Sequence, residues 1–130
     1  MARPVRGLLD TSVIIARAVA ELPQEAAISA ATLAELHFGV LLAGADDVRR
    51  ARIRRLAEIE ARFDPLPVDA PVARSNGALA HVVVSAGRQP RRRTLDLLIA
   101  ATAHAHRIPL YTRDAADFAG LGDEISIHVV

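Results

Sequence analysis

The chain has 130 residues, of which 52% are hydrophobic and 24% charged, and it has no cysteine. That composition excludes a disordered chain, disulfides, thiolate zinc sites and cysteine nucleophiles. The length predicts one domain over residues 1–130, with a core that needs no covalent staple. Net charge is +1, so global charge does not announce a nucleic-acid binder. All 16 basic residues are arginine, which excludes every mechanism that needs a lysine. Arg3 and Arg6 make a basic start, but Asp10 and Arg17 interrupt the apolar core a signal peptide requires. The longest charge-free stretch, Ser75 to Gly87, has thirteen residues, short of the ~20 of a membrane span. A soluble, cytoplasmic protein is the expectation.

In chain order, Val5 to Leu9 is an apolar run that predicts a strand ending at Asp10. Thr11 to Ala20 predicts a helix, broken by Pro23. Ala26 to Ser29 is a candidate strand. Thr32 to Ala43 is helical by composition and stops at Gly44. Asp46 to Arg62 predicts a long helix, with Asp46 and Asp47 at its positive end. Its apolar stripe is Val48, Ile53, Leu56, Ile59 and Phe63. Asp64 to Val68 holds two prolines and is extended. Asp69 caps a helix that runs to about Ala86, and Gly87 to Arg93 forms a basic loop. Thr94 to His106 is the next helix, Pro109 to Tyr111 a strand, Asp114 to Phe118 a helical turn, and Ile125 to Val129 the last strand. Alternating strands and helices predict an α/β domain: a three-layer α/β/α sandwich around a mostly parallel sheet. The functional crevice of such a sheet lies beyond the carboxyl ends of its strands.

Several carboxylates sit where packing alone would not put them. Asp10 follows the first strand; a helix N-cap is the competing explanation. Glu35 lies on a helix that is apolar nearly all round, so burial would demand a raised pKa or a positive partner. Asp96 opens an Ala-rich helix; a first-turn acid complementing the dipole explains its position but not its apolar neighbours. Asp114 and Asp117 follow a late strand, where a cap plus a first-turn acid is the plain alternative, and Thr112 adds a hydroxyl nearby. Carboxylates converging on one crevice without lysine would repel each other. A hard divalent cation, Mg²⁺ or Mn²⁺, resolves that conflict and can activate water at a phosphodiester.

These segments carry a resemblance. Leu9-Asp10-Thr11-Ser12, then Ser29 to Leu36, then Asp96 to Ala103, then Leu110-Tyr111-Thr112-Arg113-Asp114 with Asp117-Phe118 together resemble the PIN-domain nucleases, and within them the VapC toxins of bacterial toxin–antitoxin pairs. The match lies in the order and spacing of motifs that are individually weak. The resemblance implies a Mg²⁺- or Mn²⁺-dependent endoribonuclease with Asp10, Glu35 and Asp96 as its core acids. Asp114 or Asp117 would complete the metal shell, with the Thr11 and Thr112 hydroxyls behind the ligands. It also implies a VapB-like antitoxin that blocks the site, and toxin homodimers.

Arg88, Arg91, Arg92 and Arg93 lie just before Asp96. A solvated loop is the plain explanation; a grip on RNA phosphates is the functional one. The arginines of the long helix, from Arg49 to Arg55, are expected to form a solvated face balanced by Glu58 and Glu60. The five histidines show no zinc spacing, and no GxSxG elbow is present. Receiver domains need a lysine this chain lacks, and dehalogenase-type phosphatases need a DxD where Asp10-Thr11-Ser12 stands. The remaining rival is a PIN-like module that binds RNA or protein without cutting.

Overall fold

Four short strands, β1 (Arg6–Leu9), β2 (Glu25–Ala27), β3 (Leu110–Thr112) and β4 (Ile127–Val129), form one parallel sheet in the order β2-β1-β3-β4. They belong to a computed structural model that describes residues 6–16 and 21–130. Parallel strands cannot be joined by tight hairpins, so helices carry the chain back. These are α1 (Thr11–Ile15), α2 (Ala30–Leu41), α3 (Asp46–Arg62), α4 (Ala70–Ser85) and α5 (Thr94–His106). Short 3-10 turns at Pro90–Arg93 and Ala115–Phe118 complete the described elements.

The two-residue period of a strand sorts the core into layers. Leu8 and Leu110 face one way, into a cluster with Val72 and Leu79 of α4, Ile99 and Ala100 of α5, and Phe118. Leu9 and Tyr111 face the other way, against Val13 and Ile14 of α1 and Ile59 of α3. Helices therefore cover both faces of the sheet, as the alternation of elements predicts. Among the described residues no helix is long and apolar enough to cross a membrane.

Gly7 sets how closely the central strands pack on the Tyr111 side. A Cβ at Gly7 would fall 2.6 Å from Tyr111 Cδ1 and 2.9 Å from Pro23 Cγ. The Tyr111 ring cannot simply swing aside, because it stacks on His128 of β4 with centroids 4.9 Å apart. Gly7→Ala is therefore expected to cost about 1–3 kcal/mol, the usual cost of overpacking. Thermal or urea melting of the variant checks this, and an unchanged midpoint would refute the close approach.

Several boundaries differ from the sequence expectation, each for a local reason. Ser29 is the N-cap of α2 rather than the end of a strand: its hydroxyl accepts from Ala31 N at 3.1 Å, so β2 ends at Ala27. The backbone of residue 29 still bridges Leu66 in parallel, which gives the two-proline segment its extended role. Helix α2 starts at Ala30 and ends at Leu41, before Gly44. Helix α1 stops at Ile15, with Ala16 extended; residues 17–20 of the expected helix, like Val5 of the expected first strand, lie outside the described residues. Strand β3 runs one residue further than expected, to Thr112, and β4 starts at Ile127. The basic loop winds into a 3-10 turn at Pro90.

The arginines of α3 do more than face solvent. Arg49 donates to Ala43 O at 3.1 Å, Arg52 to Gly39 O, and Arg55 to Ile14 O at 3.1 Å. Three guanidinium groups thus satisfy carbonyls at or just past the ends of α1 and α2, where helix ends leave acceptors unpaired. Glu60 pairs with His37 of α2 at 3.2 Å, while Glu58 takes Arg55 at 3.4 Å.

Candidate active site

Strand order reverses between β1 and β3. The chain leaves β1 toward β2 on one side and leaves β3 toward β4 on the other. That divergence opens a crevice at the carboxyl ends of the two central strands, the usual place for a site in an open parallel sheet. Asp10 stands at the end of β1 and Thr112 at the end of β3. Their side chains meet there: Thr112 Oγ1 donates to Asp10 Oδ2 at 2.6 Å.

Asp10 is 4% exposed. Its other oxygen, Oδ1, accepts from Ser12 Oγ at 2.6 Å and from Val13 N at 3.2 Å. The N-cap explanation is therefore correct as local structure, and the same carboxylate also reaches across to β3. A cap alone would leave Oδ2 to solvent; here Thr112 fixes it. Thr112 is fully buried and its hydroxyl accepts from Asp114 N at 3.0 Å, while Ser12 Oγ accepts from Arg113 N at 3.0 Å. Two hydroxyls thus tie the turn after β3 to the start of α1.

Glu35 is half-buried on α2. Its partner is a hydroxyl, Thr11 Oγ1 at 2.8 Å, which also lies 3.3 Å from Thr32 Oγ1. The expectation of a helix buried nearly all round is corrected: Phe38 and Leu41 are largely exposed. One end of α2 is nonetheless pinned in the core, where Ser29 Oγ and Thr102 Oγ1 of α5 stand 3.0 Å apart.

Asp96 lies in the first turn of α5, whose Ala100, Ala101 and Ala103 are fully buried against the sheet and α4. Its carboxyl pKa is pushed up to about 6. Burial is the main cause, followed by repulsion from Asp117 and Glu35, with a smaller push from Asp10; Arg93 pulls the other way. Arg93 Nη1 bonds Asp117 Oδ1 and lies 3.9 Å from Asp96 Oδ2. The last 3-10 turn therefore brings Asp117 toward the head of α5. Asp114 is exposed, and the hydrogen bond that fixes it runs through its backbone amide.

Asp117, Glu35 and Asp10, separated widely in sequence, thus all lie near enough to act on Asp96 at one end of the sheet. Among the described residues, no group of three or more His, Asp or Glu side chains is arranged so that it could hold a metal ion. The donor set is nevertheless of one chemical kind, carboxylate and hydroxyl oxygen, which suits hard cations such as Mg²⁺ and Mn²⁺. Of the basic residues expected near the site, Arg93 is paired as described and Arg88 is exposed; the side chains of Arg91 and Arg92 lie outside the described ones. Ser12 and the Arg93–Asp117 pair were not singled out by sequence reasoning. Ser12 carried one usable signal, a hydroxyl two residues after a strand-end aspartate.

The chain matches the PIN domain over residues 7–123. It is 39% identical over 133 aligned residues to Ribonuclease VapC5 of Mycobacterium tuberculosis, covering 98% of this chain and 96% of that one. It is 42% identical over 101 residues to Ribonuclease VapC8 of the same organism, covering 75% and 89%. The crystal structure of VapBC-5, a member of the VapBC family of toxin-antitoxin systems from Mycobacterium tuberculosis, superposes with a TM-score of 0.84 over 98% of both chains, at 39% identity. With matches of this extent in sequence and in fold, the chain belongs to the PIN-domain family, and within it to the VapC group.

Proposed function

We propose that this chain is a VapC-type ribonuclease, the toxin of a toxin–antitoxin pair, hydrolysing RNA phosphodiester bonds in the cytoplasm with Mg²⁺ or Mn²⁺. The observation that supports the reading is the arrangement at the switch point of the sheet, with Asp10 held by Ser12 and Thr112 and the Asp96 carboxyl pushed up by burial and by Asp117, Glu35 and Asp10. Relatives named as ribonucleases give the chemistry its substrate class.

Asp10, Glu35, Asp96 and Asp117 would hold the cation, with Asp114 next to the shell. When bound, the cation supplies a nucleophilic water at neutral pH and stabilises charge on the phosphoryl oxygens. The chain's own residues do the positioning. Thr112 and Ser12 each donate to one oxygen of Asp10 and so hold both in place. Thr11 orients Glu35, whose carboxylate can accept a proton from an attacking water. Arg88 and Arg91 to Arg93 carry the positive charge that draws the RNA backbone to an acidic pocket.

An apolar groove between α1, α2 and α3 supports the antitoxin part of the reading. It encloses about 670 Å³ and is lined by Ile15, Leu36, Val48 and Leu56, with Thr11 and Glu35 among its lining residues. A VapB-like antitoxin segment seated there would cover the approach to Glu35. Toxin chains are proposed to pair as homodimers.

The test is purified, antitoxin-free protein incubated with total cellular RNA in Mg²⁺ or in EDTA, with fragment ends mapped. Discrete cuts with Mg²⁺ or Mn²⁺ and none with EDTA are expected. Equal cutting in EDTA would overturn the metal requirement, and intact RNA in every condition would overturn the ribonuclease.

A further inference from the structure

Beside the acids lies a cavity of about 310 Å³. Val83 of α4, Leu97 of α5 and Leu121 give it apolar walls. Arg88 and Gln89 stand at its rim, and the Arg93–Asp117 ion pair forms the boundary it shares with the carboxylates. Among the described residues, no aromatic ring lines it.

We infer that this cavity is a subsite for one unstacked nucleotide of the RNA, adjacent to the phosphodiester at the carboxylates, and that Arg88 selects guanine there. The inference rests on the ribonuclease reading. Its volume is at the small end of ligand pockets, and apolar walls with a few polar groups at the rim are how such pockets orient what they hold. Sequence-specific RNA recognition takes bases out of the stack, packs them on flat groups and reads their edges. With no aromatic ring among the described lining residues, the base packs on Val83, Leu97 and Leu121, and an arginine is left to read its edge. Arg88 is exposed and engages no ion pair among the described residues, in contrast to Arg93. A guanidinium only donates, so it matches a base that presents two acceptors side by side, guanine O6 and N7. Adenine puts a donor beside N7 and mismatches the fork. Continuity with the acid cluster through Asp117 makes the occupant a neighbour of the reacting phosphate rather than a distant contact.

Two measurements on the full chain test this. In the first, guanosine monophosphate and adenosine monophosphate are titrated against methyl resonances of Val83, Leu97 and Leu121. Shifts with the guanine nucleotide, weaker by on the order of ten-fold with the adenine one, are expected, as is their loss in Ala119→Leu, because Ala119 also lines the cavity and the larger side chain fills it without changing charge. In the second, a degenerate single-stranded RNA pool is cut and the ends sequenced. Wild type should enrich guanine at one position flanking the cut, and both Arg88→Ala and Ala119→Leu should flatten that preference by on the order of ten-fold, with thermal melting confirming that each variant folds. Metal-dependent cutting with no guanine preference, or a preference untouched by both variants, would overturn the subsite while the ribonuclease stands. Guanine-nucleotide shifts in a protein that cuts no RNA would overturn both, leaving a free-nucleotide site.

Discussion

Asp96→Asn is expected to abolish metal-dependent RNA cleavage, a loss of at least about 10³-fold, and at the same time to stabilise the metal-free protein above pH 6. The two effects share one cause. The Asp96 carboxyl, ordinarily near 3.8, is raised to about 6 by burial and by Asp117, Glu35 and Asp10. A carboxyl with a raised pKa binds its proton more tightly in the folded state than in the unfolded one. The stability this contributes is fully present below pH 3.8, falls as pH rises through about 6, and is gone above that. At neutral pH the folded chain therefore carries an ionised group that it would hold more cheaply as the acid. An amide of the same shape removes that charge. With a side chain 28% exposed, solvent screening reduces the gain to about 1–2 kcal/mol. Differential melting of wild type and variant in EDTA checks it: their midpoints should match near pH 4 and separate by several degrees by pH 7. Adding Mn²⁺ should raise the wild-type midpoint and leave the variant's nearly unmoved. A variant that melts below wild type at pH 7 in EDTA would show that Asp96 is held by favourable contacts and not by a strained, ion-seeking site.

The elements that carry their own punctuation were legible from sequence. Helix α3 runs Asp46–Arg62 and α5 Thr94–His106, as expected, because charges at their ends and apolar periodicity within them are local signals. Asp69 caps α4 through Val72 N at 3.2 Å for the same local reason. Boundaries failed where a tertiary partner decided them. Ser29 looks like strand and acts as a cap because α2 must start there to meet Thr102 of α5. Ile15 continues the apolar run of α1 yet is 63% exposed, so the helix gains nothing by extending along that face. Asp10, Glu35 and Asp96 stand out as candidates in the sequence because each ends or interrupts an apolar run, and Asp114 and Asp117 because they follow a strand. Their linkages could not. Ser12 and Arg113, Thr112 and Asp10, and Arg93 and Asp117 meet only because the crossovers return the chain to one end of the sheet, and no window of sequence contains both partners. The choice between Asp114 and Asp117 is of that kind: three residues apart, they differ in that Asp117 turns toward Arg93 and Asp96 and Asp114 toward solvent.

Thr112→Val is expected to lower Mn²⁺ affinity about 10–100-fold and to cost about 1–3 kcal/mol of stability. Valine keeps the branched shape that suits a strand, so β3 itself is not at issue. What disappears is one hydroxyl with two jobs: donating to Asp10 Oδ2 at 2.6 Å and accepting from Asp114 N at 3.0 Å. At 4% exposure Asp10 has little water to replace that donor, so its carboxylate is left partly unpaired and free to rotate out of the crevice. The same change loosens the turn that carries Arg113, Asp114 and Asp117. Ser12→Ala also removes a donor to Asp10, at 2.6 Å, but Ser12 is only half-buried, water can take its place, and the loss should be several-fold smaller. Thr112→Ser restores the hydroxyl and should recover most of the affinity while keeping a modest stability loss from the missing methyl. Calorimetric titration of Mn²⁺ into the three variants, alongside melting curves, orders them: serine near wild type, Ser12→Ala next, valine last. Equal Mn²⁺ affinity in Thr112→Val and wild type would mean that the β1–β3 link stabilises the sheet without shaping the carboxylate it holds.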